Sequence, residues 1–171
     1  MKFQLAQLSL PLLAMFSTGL SIAETPKADM TGPVTRAEID AQKFDWMGKG
    51  MAEAKKDLAT KKKEVETLKK ALKNVDVEVF FGSWCGDTHE HLPVFLALMD
   101  AAKANGPKST LLVARDRKKN TGSYKDTRGI ERLPTFVFLK DGKEIGRIIE
   151  TPTKSILEDT LAIIGKSSGS P

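Results

Sequence analysis

The sequence predicts an α/β fold in which a central mixed sheet packs with helices and is preceded by a helical N-terminal extension. Three observations predict it. The hydrophobic period changes at Asn74, from helical spacing to a β-branched and aromatic run. A helical segment separates the first two strand-like runs, as a parallel crossover requires, whereas Asp141-Gly142 ties the last two into a hairpin. The composition fits one soluble globular domain: 171 residues, 40% apolar, 29% charged, net charge +5. Aromatics at 6% argue against a nucleic-acid binder built on stacked bases. The single cysteine, Cys85, excludes a disulfide scaffold and a multi-cysteine zinc site within one chain.

Residues 1–23 are expected to be a secretory signal peptide. Lys2 supplies the positive start, Leu5, Leu8, Leu10, Leu12, Leu13 and Phe16 the apolar stretch, and Ser21 and Ala23 the small residues of a cleavage site before Glu24. Gln4, Gln7, Ser9, Pro11, Ser17 and Thr18 interrupt the run. A membrane span needs about 20 mostly apolar residues, so no stable membrane insertion is expected. Export places the mature chain in a periplasmic or extracellular setting, where disulfides persist, yet it keeps a lone thiol.

Residues 24–33, with Pro26, Gly32 and Pro33, read as a linker. A helix is expected from Thr35, which forms a capping box with Glu38. It carries Ile39, Phe44, Trp46 and Met47, and Gly48 and Gly50 break it. A second helix, 51–73, places Leu58, Val65, Leu68 and Leu72 on one face. Its other face holds eight lysines between Lys55 and Lys73, interspersed with Glu53, Asp57, Glu64 and Glu66, and reads as solvated surface. Linker and helices together make an extension over 24–73.

The domain proper is expected over 74–166. Val75, Val77, Val79, Phe80 and Phe81 form a buried strand ended by Gly82. The next helix, 88–104, carries Leu92, Phe95, Leu96, Leu98 and Met99, contains Pro93, and stops at Asn105-Gly106-Pro107. A second strand covers 110–114, a polar and basic loop with a short helix covers 116–129, and strands follow at 134–139 and 143–150. A last helix, 153–164, aligns Ile156, Leu157, Leu161 and Ile164, and residues 167–171 form a flexible tail.

The chemistry concentrates in Gly82-Ser83-Trp84-Cys85-Gly86-Asp87-Thr88-His89. A thiol where a strand ends and a helix begins meets the unpaired N–H groups and positive end of that helix, and both favour the thiolate. Thr88 is expected to point its hydroxyl back and donate to the sulfur, while Trp84 shields one side. A nucleophilic cysteine needs this arrangement. The flanking Gly, Asp and Ser argue against a buried cysteine that serves as a small hydrophobe. His89 is expected to tune the thiolate as a nearby proton donor. Asp87 opposes the thiolate by its charge and stabilises the helix start. Cys85, His89 and His91 are too few for a closed zinc site, which takes four ligands, so no metal is expected.

These residues resemble the thioredoxin superfamily over about 75–165. Trp84-Cys85-Gly86-Asp87-Thr88 is similar to its W-C-x-x-C motif, Pro93 to the proline of its active-site helix, Leu133-Pro134-Thr135 to its cis-proline loop, and Gly146 to the glycine of its last strand. The resemblance implies a thioredoxin-like three-layer fold, with Cys85 as the attacking thiol beside Trp84 and Pro134. It also implies an extended peptide held near Leu133, Thr135 and Gly86, and no cofactor. Two positions depart from the family. The resolving cysteine is Thr88, as in monothiol relatives, and the buried acid that assists proton transfer is Val79.

The expected activity is therefore that of a monothiol thiol–disulfide oxidoreductase or isomerase whose mixed disulfide is resolved by an external thiol. Its partners are protein or small-molecule thiols and disulfides. The basic loop with Arg115, Arg117, Lys118, Lys119, Lys125 and Arg128 would favour acidic partners or glutathione if it lies near the site. The alternatives are a non-catalytic peptide-binding module and a dimer switched by a Cys85–Cys85 bridge.

Overall fold

The structure, a computed structural model, describes residues 28–104 and 110–168. The expected signal peptide, residues 24–27 of the linker, the Asn105-Gly106-Pro107 helix stop and residues 169–171 lie outside them. The strands are β1 (Gly32–Val34), β2 (Asp76–Phe81), β3 (Thr110–Ala114), β4 (Thr135–Lys140) and β5 (Lys143–Ile149). The helices are α1 (Arg36–Ala41), α2 (Asp45–Thr60), α3 (Lys62–Ala71), α4 (Gly86–Ala102) and α5 (Ile156–Ser168). One five-stranded sheet runs in the order β1-β3-β2-β4-β5. β2 and β3 are parallel and joined through α4; β4 pairs antiparallel with both β2 and β5. At the β4–β5 turn Asp141 and Gly142 have φ of +51° and +74°, the left-handed pair of a type I′ hairpin. The sheet is mixed, as expected.

Alternation along β2 divides the interior. Val77, Val79 and Phe81 join Leu112, Ala114, Phe136, Phe138 and Ile148 on the face that meets the helices. There Phe95 of α4 packs on Phe136 with ring centroids 4.7 Å apart. Phe80, Val113, Val137 and Leu139 occupy the opposite face, under Ile130, Leu133 and Tyr124. The third layer is thus the segment 115–134, in which the described residues form no helix, contrary to the short one expected. Hydrogen-bonded turns hold it instead: the Asp116 carboxylate accepts from the Lys118 and Asn120 N–H groups and from the Asn120 amide, each at 2.8 Å.

The extension departs most from expectation. The expected linker contains β1, which pairs antiparallel with β3. Gly32 and Pro33 read as breakers, but Gly32 takes φ +89° and a proline is tolerated on a sheet edge. Thr35 and Glu38 form the expected capping box. The helix break falls after Ala41, where Lys43 has φ +50°, and α2 runs straight through Gly48 and Gly50. Gly50 is a packing residue: a Cβ there would lie 2.8 and 2.9 Å from the Cβ and Cγ of Pro93, so its absence lets α2 lie against α4. The expected 51–73 helix divides at Lys61 into α2 and α3. At the other end, α5 continues to Ser168, into the expected tail.

Candidate functional site

β2 ends at Phe81 and α4 begins at Gly86, so the turn from Gly82 to Cys85 carries the thiol to a helix N-terminus. Cys85 is the N-cap, with extended backbone (φ −90°, ψ 127°), and its N–H donates to the Gly82 carbonyl at 3.0 Å. The residue is partly exposed. Its sulfur donates to the Leu133 carbonyl at 3.3 Å, and the Leu133–Pro134 peptide is cis. The fold therefore brings together Cys85 and the Pro134 loop, 48 residues further along the chain. Gly86 and Asp87 are exposed in the first turn of α4. Asp87 there complements the positive helix end.

Two expected roles, those of Thr88 and His89, are corrected. Thr88 is fully buried, and its hydroxyl oxygen accepts from the Gly82 N–H at 3.3 Å; the sulfur bonds to the Leu133 carbonyl instead. The third helical position faces back toward the strand end, whereas the N-cap side chain leans onto the neighbouring loop. Thr135, whose expected role runs through the backbone of its loop, is 2% exposed, and its hydroxyl donates to the Arg132 carbonyl at 2.7 Å. His89 does not hydrogen-bond the sulfur. Its Nε2 lies 2.8 Å from the Ser83 carbonyl, and its ring stacks on Trp46 at 4.4 Å and 17°. A carbonyl only accepts, so Nε2 carries the proton.

Trp84 covers the sulfur's neighbourhood by means of its own contacts. A Cβ at Gly82 would come within 2.9 Å of the indole and 3.3 Å of Leu133 Cδ1, so glycine lets Trp84 and Leu133 close over this turn. The indole N–H donates to the Arg115 carbonyl at 3.0 Å, and the Arg117 guanidinium sits 5.3 Å above the ring. Arg117 also pairs with Asp29 at 3.4 Å, and the Met30 N–H donates to Ser83 Oγ at 3.1 Å. Asp29 and Met30 thus lie alongside the motif. Sequence reasoning missed Arg115, Asp29 and Met30 as neighbours of this turn, because long-range pairing alone places them there.

The expected basic loop is largely engaged in structure. Arg115 donates to the carbonyls of Lys119 and Ile130. Arg128 pairs bidentately with Glu78 at 2.7 and 3.1 Å, which raises its pKa, and burial raises that of the neighbouring Tyr124. Hydrogen bonds from Arg147 hold the Glu144 carboxyl below the usual range. Lys118, Lys119 and Lys125 are exposed.

Fold and site together define an α/β protein of thioredoxin architecture, with a thiol at the N-terminus of the helix that follows the central strand. A family model described as Thioredoxin matches residues 40–158, and the chain belongs to that family. The chain is 40% identical over 88 residues to thioredoxin H-type 1 of Nicotiana tabacum, a match over 52% of this chain and 61% of that protein. It thus spans about three fifths of that relative's length. A Pseudomonas aeruginosa protein of unknown function shares the fold at TM-score 0.53 and 14% identity, over 79% of this chain and 93% of that one. Fasciola hepatica thioredoxin is 30% identical, over 57% of this chain and 88% of its own, with TM-score 0.37.

Proposed function

We propose that this protein is an exported monothiol thiol–disulfide oxidoreductase or isomerase that acts through Cys85, with 74–166 as its catalytic region and the leader over 1–23 removed. One observation supports this above the others: a partly exposed sulfur at a helix N-cap, 3.3 Å from the carbonyl before a cis proline, in a chain with no second cysteine. The orphan N–H groups of α4 place partial positive charge beside that sulfur.

The Cys85 thiolate attacks one sulfur of a substrate disulfide. That S–S bond breaks, the other sulfur leaves as a thiolate, and a Cys85–substrate mixed disulfide forms. An outside thiolate then attacks the substrate sulfur, frees Cys85, and leaves the two outside sulfurs joined. If the attacker is a second thiol of the same substrate, the net result is isomerisation. With two outside thiols it is reduction. The partners are protein or small-molecule thiols and disulfides, glutathione among them, and the exposed Lys118, Lys119 and Lys125 suit anionic ones.

Incubation of the purified chain with oxidised glutathione, followed by intact-mass analysis, tests the reading. The wild type gains one glutathione adduct that excess dithiothreitol reverses, and Cys85→Ala gains none. A wild type that stays unmodified overturns the proposal.

A further inference from the structure

Ser83 sits between the end of β2 and Cys85, is 9% exposed, and is held from two sides. Its hydroxyl oxygen accepts the Met30 N–H, and its carbonyl accepts the His89 Nε2–H at 2.8 Å. His89 lies one helical turn after Cys85, yet its ring is fixed by the extension. Trp46 of α2 stacks on it at 4.4 Å and 17°, and Phe44 stacks on Trp46 at 5.0 Å and 20°. Near-parallel rings at these separations resist rotation of the imidazole about its side-chain bonds.

We propose that Trp46, backed by Phe44, is a positioning residue for the thiol: it holds His89, which in turn fixes the Ser83 carbonyl and thereby the peptide that leads into Trp84 and Cys85. The inference rests on Cys85 being the nucleophile. The peptide unit is planar, so fixing the Ser83 carbonyl also fixes the direction of the Trp84 N–H. Released from His89, the carbonyl loses the donor that fixes its direction, and the peptide is freer to turn. Such a turn moves the segment that carries Cys85 toward Leu133 and Pro134. α2 thereby contributes to the site without touching the reacting atoms.

The test reads the second-order rate at which full-length protein reacts with dipyridyl disulfide at neutral pH, well below its melting temperature. The thiolate forms a pyridyl mixed disulfide and releases thiopyridone, whose absorbance reports the rate. His89→Phe keeps a ring on Trp46 but loses the donor, and it slows the reaction about fivefold, the rate equivalent of one ordinary hydrogen bond. Trp46→Ala does the same, and Trp46→Phe restores the rate to within about twofold because the stack survives. His89→Phe is the variant of choice should Trp46→Ala not fold. A wild-type rate in folded His89→Phe overturns the inference, as does a lowered melting temperature in Trp46→Ala with the rate unchanged. A wild type that is itself inert overturns the proposed function instead.

Discussion

In the proposed reaction Thr88 stands where a second sulfur would resolve the mixed disulfide, and its surroundings say what a cysteine there would meet. The side chain is fully buried, three residues after the N-cap in the first turn of α4, and its hydroxyl accepts from the Gly82 N–H. Thr88→Cys keeps the size but exchanges a good acceptor for a weak one, which costs about 1–2 kcal/mol in a denaturant melt. In return Cys85 gains an internal partner. Oxidised Thr88→Cys should show no free thiol by titration, whereas the reduced protein shows two. Its reduction of insulin by dithiothreitol should exceed that of the wild type by at least about tenfold, or about 1.4 kcal/mol of barrier. Two persistent free thiols after oxidation would mean that the buried position does not turn toward Cys85.

At the scale of elements, α2 against α4 makes the sharpest prediction, because its two glycines respond in opposite directions. Gly50→Ala drives a methyl into the Pro93 ring, which cannot rotate away, and should destabilise by about 1–3 kcal/mol. Gly48→Ala meets nothing within 4 Å and should stabilise by about 0.5–1 kcal/mol through helix propensity. Urea titration of both variants checks the signs. The sequence made both glycines look like breakers, since a glycine kept for close approach and one that ends a helix are the same letter. Local chemistry was legible: the Thr35–Glu38 box, the Asp141-Gly142 turn and the alternation in β2 each declare themselves within a few residues. The joining of Cys85 to the Pro134 loop was legible through resemblance. What escaped was long-range. β1 needs β3 as its partner, Arg128 of the 115–134 segment needs Glu78, and His89 answers to Ser83 and Trp46 rather than to the sulfur.

Over the whole molecule, two kinds of perturbation probe how far the parts depend on one another. The first is acid. Hydrogen bonds from Arg147, Asn120 and the Thr35 backbone lower the carboxyl pKa values of Glu144, Asp116 and Glu38 respectively. Each carboxyl is thus easier to protonate in the unfolded chain. Its contribution is present above the ordinary carboxylate pKa of about 4 and is lost as pH falls through the lowered folded value. The melting temperature should hold from neutral pH to about pH 5 and decline below about pH 4, less steeply in Glu144→Gln. The second perturbation is truncation. Met47, Met51 and Leu58 of α2 and Leu68 of α3 are buried in the same cluster as Val79, Phe95 and Phe136, so the extension and the thiol-bearing half share one core. Burial of each such large side chain is worth about 1.5–3 kcal/mol, against a typical total stability of about 5–15 kcal/mol. Removal of residues 1–73 deletes several of these side chains together, along with β1, and bares the side of α4 that Gly50 approaches at Pro93. The remaining 74–171 chain should show no cooperative urea transition, while the full chain unfolds in one. A sigmoidal transition at the wild-type midpoint in the shortened chain would show that the thiol-bearing half folds without its extension.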